Sequence, residues 1–126
     1  ATKDREVCYP RGCKSRTPVE RKPKIVTLCG STRFMEDFLN VARDCTLKGW
    51  VVLMPGVFAH SDGTTLTDEQ KAQLDELHKR KIDMSDAIFV INKDGYIGSS
   101  TESEIRYARA HLKEIVYLEH DKMLKF

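Results

Sequence analysis

Four short apolar runs constrain this chain more than any other feature. They lie at 24–29 (KIVTLC), 50–54 (WVVLM), 87–91 (AIFVI) and 115–118 (IVYL), and a helical pattern separates each from the next. Continuous apolar strands with helices between them call for a parallel sheet covered on both faces. Right-handed crossovers leave few topologies. The expected fold is therefore α/β, a flavodoxin-like three-layer parallel sheet of four to five strands in the order 2-1-3-4(-5). That order puts the switch point between the first and third strands, and ligands bind outside the carboxyl ends of strands at such a point.

The helices are expected at 34–47, 67–84 and 102–112. Phe34, Phe38, Ala42 and Cys45 recur on one face of the first, and Gly49 supplies its C-terminal stop. Thr67 to Gln70 has capping-box form and opens the second, with Leu74, Leu77 and the Lys81 stem facing the core. Ile105, Ala108 and Leu112 mark the buried face of the third. A polar loop over 57–66 is a potential lid, and Phe58 and His60 within it are expected to read a ligand.

The 126 residues, 40% hydrophobic and 32% charged, suit one globular domain. Charge is uneven. Residues 1–23 carry seven Lys/Arg and three Asp/Glu, a surplus of +4, and read as a flexible basic leader before a domain over 24–126. The remainder carries −2 and does not look like a nucleic-acid binder. No apolar run is long enough for a bilayer span, and the first residues contain no apolar signal region, so no membrane partner and a cytoplasmic location are expected. Cys8, Cys13, Cys29 and Cys45 show no zinc-like spacing with the histidines, so no metal site is expected, and Cys29 and Cys45 read as small core residues.

Two Gly/Ser-rich turns carry the candidate chemistry. After the first strand, Gly30 allows close backbone approach, Ser31 and Thr32 offer hydroxyls, and Arg33 offers a guanidinium fork suited to phosphate. The alternative is that Ser31 or Thr32 merely caps the helix. After the third strand come Gly95, Gly98, Ser99, Ser100 and Thr101, then Glu104. Glu104 is a catalytic candidate, but Thr101 to Glu104 also fits a capping box, with Glu104 at the third helical position. His78, Asp75, Asp83 and Asp86 form a further acid-base set.

These motifs resemble the nucleoside 2-deoxyribosyltransferase superfamily, nearest to its nucleoside 5′-monophosphate N-glycosidase members. Cys29-Gly30-Ser31-Thr32-Arg33 is similar to the family's phosphate-holding turn. Ser85-Asp86 before the third strand resembles its acidic strand entry, and Glu104-Ile105-Arg106-Tyr107-Ala108 resembles the segment bearing its nucleophile. The resemblance covers roughly 24–119. It implies hydrolysis of the N-glycosidic bond of a nucleoside monophosphate, with Glu104 as nucleophile. It also implies Gly30, Ser31, Arg33, Gly98, Ser99, Ser100 and Asp86 as substrate-binding residues, no cofactor, and a homodimer or larger homo-oligomer. His78 falls where the family carries the aspartate that assists the leaving base, and Arg106 falls where many members have glycine. The resemblance also allows a nucleoside deoxyribosyltransferase, and the residues by themselves allow a non-catalytic nucleotide-binding or sensing module.

Overall fold

The computed structural model describes residues 22–119. Apart from Lys22 and Pro23, the leader read over 1–23 lies outside the described residues, as does the end of the chain. Strands β1 (Ile25–Gly30), β2 (Val51–Leu53), β3 (Ala87–Ile91) and β4 (Glu114–Tyr117) form one parallel sheet in the order β2-β1-β3-β4. Helices α1 (Met35–Leu47), α2 (Ala59–Asp62), α3 (Asp68–Asp83) and α4 (Ser99–Ala110) connect them. The sheet has the expected order with four strands among the described residues. None of the described helices is long and apolar enough to cross a membrane.

Side-chain alternation divides the core into two layers. Val26 and Leu28 of β1, with Ala87 and Ile91 of β3, pack on Phe38, Val41 and Cys45 of α1. Cys29 of β1, with Ile88 and Val90 of β3, packs on Ile82 of α3 and on Ile105 and Ala108 of α4. One helix therefore covers one face and two cover the other. The continuous apolar strands follow from this, since both sets of side chains are buried.

Local chemistry sets the helix ends. The Thr67 hydroxyl accepts the Gln70 N–H at 3.0 Å and the Gln70 side chain accepts the Thr67 N–H at 3.0 Å, so the expected capping box forms. Gly49 follows α1 with φ +90°, a left-handed conformation that glycine adopts without steric cost. At Gly30 the reason is proximity: a Cβ there would lie 2.9 Å from both the Ile91 Cβ and the Ile91 carbonyl oxygen. The close β1–β3 pairing at the switch point needs a residue without a side chain.

Two expected helix faces shift. The inward residues of α3 are His78 and Ile82, while Leu77 is half exposed. The α4 helix starts at Ser99 rather than 102, with Gly98 as its N-cap. Thr101 is thus buried inside the first turn and is not a cap. The polar loop after β2 contains the short α2, where Ser61 donates to the Thr32 carbonyl at 2.7 Å. Phe58 is also corrected. It is buried in the core, edge-on to Phe38 at 5.3 Å, because a ring beside α1 gains more from desolvation than from facing a cavity.

Candidate active site

Three chain segments converge outside the carboxyl ends of β1 and β3: the Gly30–Arg33 turn, the inner face of α3 and the start of α4. Between them lies a cavity of about 550 Å³, a volume suited to a small organic ligand. Gly30, Ser31, Arg33, His78, Gly98, Ser99, Ser100 and Glu104, named from sequence, all border it.

Asp86 does not. It precedes β3, at the opposite edge of the sheet, and its carboxylate accepts the Ile25 N–H at 2.9 Å. A parallel strand's first N–H needs an acceptor there, so Asp86 ties down the start of β1 and cannot reach a ligand at the other edge. Asp83 is likewise away from the cavity; it accepts the Tyr107 hydroxyl at 2.6 Å and pairs with Arg80 at 3.1 Å. Asp75 borders the cavity with Glu104.

One end of the cavity suits an anion. No side chain caps α4 at Gly98, so the first-turn N–H groups and the Ser99 and Ser100 hydroxyls present donors and a partial positive charge. Across from them, Ser31 accepts from the Arg33 backbone N–H at 3.3 Å and from Arg33 Nε at 3.1 Å. Both readings of Ser31 are therefore met. It caps the short 3₁₀ turn Thr32–Phe34, and it also holds the guanidinium of Arg33. That guanidinium lies 4.7 Å over the Tyr96 ring, which packs T-shaped with Phe34. Stacking and the Ser31 contact fix the fork in place before any ligand arrives.

The other end is the floor. Glu104 lies in the second turn of α4, with its side chain only 12% exposed. Its role as an N-terminal cap, open from the sequence, disappears once α4 starts at Ser99. With Gly98 as the N-cap, the second turn of the helix brings the carboxylate to Cys29 of β1. Burial pushes the Glu104 carboxyl up to about 7; Asp75 pushes in the same direction, while a hydrogen bond with Cys29 and the charge of Lys79 oppose it.

His78 Nε2 lies 3.8 Å from Glu104 and 3.4 Å from Cys29 Sγ. The first separation would suit an ion pair, yet burial works against both charges. Desolvation, with Lys81 adding to it, takes His78 down to about 4, although a hydrogen bond with the Leu28 backbone works the other way. At neutral pH His78 is thus an uncharged neighbour of Glu104. Burial and the Glu104 carboxyl push the Cys29 thiol well above its ordinary range. Lys81 donates to the Met54 carbonyl at 2.8 Å, fixing its ammonium at the cavity wall.

Cys29 was missed as a site residue from sequence. It is a core residue by burial, as expected, but it also touches both His78 and Glu104. The signal was its position: it immediately precedes Gly30 on the strand face opposite Leu28. Cys29, His78 and Glu104 have ligand atoms all within 4.8 Å of one another, a grouping that spacing along the chain does not reveal because three elements contribute it.

No family model matches this sequence, and no curated protein matches it. A solved structure does, the 2-desoxiribosyltransferase from Leishmania mexicana, with a TM-score of 0.56 at 20% identity. The two share a fold. The alignment covers 75% of this chain and 63% of that one, so this chain spans under two thirds of its neighbour's length. The similarity extends to the three-layer α/β fold.

Proposed function

We propose that this chain cleaves the N-glycosidic bond of a nucleoside 5′-monophosphate, releasing the free base and a (deoxy)ribose 5-phosphate. One observation carries the reading: a buried carboxylate and an anion-binding corner border the same cavity, contributed by the two turns of the switch point. The name of the fold neighbour, a 2-desoxiribosyltransferase, supports glycosidic chemistry at this edge.

In this account Ser31, Arg33, Ser99, Ser100 and the N-terminus of α4 hold the 5′-phosphate. The anchored phosphate places the sugar over Glu104. The ionised Glu104 carboxylate attacks C1′ as the C1′–N bond breaks, and the base leaves with the bonding electrons. The departing base takes its proton from water in the cavity, which Asp75 borders. A second water then attacks C1′ and the bond to Glu104 breaks, freeing the carboxylate; the Asp75 carboxylate accepts that water's proton and passes it to the hydroxide left by protonation of the base. His78, uncharged and 3.8 Å from Glu104, positions the carboxylate in this account.

Desolvation has a purpose in this scheme. A carboxylate held at about 7 is destabilised as an anion and is relieved as positive charge develops on the sugar. The test is release of free base from a panel of ribo- and deoxyribonucleoside monophosphates, followed chromatographically. Transfer to a second base added to the assay would assign a transferase, the activity named for the fold neighbour. Tight binding with no turnover would assign a nucleotide sensor and overturn the proposal.

A further inference from the structure

We propose that Cys29 Sγ, His78 Nε2 and the Glu104 carboxylate together form a site for one thiophilic divalent cation of the Zn²⁺ class, with its fourth position open to the cavity. The site itself does not rest on the glycosidic reading, but its effect on turnover does.

The geometry is close to that of a bound ion. With Zn–S near 2.3 Å and Zn–N or Zn–O near 2.0–2.1 Å, the edges of a tetrahedral site are roughly 3.3–3.6 Å long. Here Sγ and Nε2 are 3.4 Å apart, Nε2 and the carboxylate oxygen are 3.8 Å apart, and all three ligand atoms lie within 4.8 Å. Small side-chain rotations close the difference. The donor set is one thiolate, one imidazole and one carboxylate; the thiolate and imidazole favour zinc over magnesium or calcium, and zinc also accepts the carboxylate.

Charge agrees with geometry. Binding of a dication with loss of the thiol and carboxyl protons leaves a neutral buried centre, and both protons leave through the cavity to solvent. Each ligand comes from a different element, β1, α3 and α4, which pack together in one core layer. The site is therefore preformed by the fold. Two of the three ligands, His78 and Glu104, border the cavity, which puts the fourth position of the proposed site on that side, as in zinc sites that keep one coordination place for water or substrate. A cation there occupies the floor and coordinates the nucleophile, so it blocks base release.

The test uses the 126-residue chain with Cys8→Ser and Cys13→Ser, which removes two further thiols as competing ligands. Metal-free protein is titrated with Co²⁺ and read by absorption. One equivalent is expected to give a thiolate-to-cobalt charge-transfer band with the d–d bands of a four-coordinate ion, and one equivalent of Zn²⁺ should erase both. Cys29→Ala should abolish the charge-transfer band. His78→Gln should weaken Co²⁺ by about 100-fold, the upper end of what loss of even an outer-shell partner costs. Cys45→Ala, which removes the other remaining thiol, should leave the band intact; this keeps the assignment testable if Cys29→Ala fails to fold. Absence of a charge-transfer band in the parent, or its loss in Cys45→Ala, overturns the proposal. Zn²⁺ should also suppress base release stoichiometrically, with recovery on chelation. Absence of turnover under every condition would count against the glycosidic reading alone, because the cobalt spectrum needs no substrate.

Discussion

Replacing Glu104 with Gln should stabilise the protein at neutral pH, and the sign can be worked out from the site. The carboxyl is held at about 7 in the folded chain, against 4.5 ordinarily. The native state therefore binds this proton more tightly than the unfolded state does. The resulting stability is fully present below pH 4.5 and is lost as pH rises through about 7. That displacement corresponds to about 3 kcal/mol. Gln has the shape of the protonated carboxyl and never ionises. The two proteins should be nearly equal in stability at about pH 4, and Glu104→Gln should be more stable by about 3 kcal/mol at about pH 8. For a domain of this size the difference is roughly 10 °C in Tm. Urea unfolding of both proteins across that range, with a chelator present, measures the difference directly. A difference that does not change with pH would mean that Glu104 is solvated in the folded protein, and the argument from desolvation would be refuted.

Other outcomes follow from neighbouring residues. His78 is held at about 4 rather than 6.5, so its contribution is present above pH 6.5 and lost as pH falls through about 4. His78→Gln should remove that acid-side loss, read by the same urea series. Arg33→Ala should raise KM for monophosphates by about 10- to 100-fold, the worth of a charge-assisted hydrogen bond, and leave free nucleosides nearly unaffected; equal weakening of both would remove Arg33 from the phosphate end. Thr67→Ala should cost about 1 kcal/mol in urea unfolding through loss of the α3 cap, without changing kcat.

The architecture was legible because its signals are local and repeated. Four apolar runs and three helical patterns fix a parallel sheet, and handedness does most of the rest. The Thr67 box was legible for the same reason, since a cap needs only four adjacent residues. The site was less legible where tertiary burial overrode local pattern. Thr101 to Glu104 matches a capping box, but Thr101 is buried in the first turn, so α4 starts earlier and Glu104 turns inward. In α3, Leu74 and Leu77 look like core from spacing, yet they border the cavity, and the polar His78 takes the buried position beside Ile82. Apolar cavity walls and apolar cores read alike in a sequence. Asp86 had the right residue type before the right strand, but it lies at the edge where strands begin. Cys29 carried no polar signal at all; its significance comes from the two elements that pack against it.

The central claim is that Glu104 acts on the anomeric carbon of a phosphate-anchored sugar. It is tested most directly by measuring base release from the monophosphate panel with the natural protein and with Glu104→Gln. Turnover of at least one monophosphate, lost by several orders of magnitude in Glu104→Gln while nucleotide binding persists, is the predicted result. Undiminished release by the Glu104→Gln protein would contradict it.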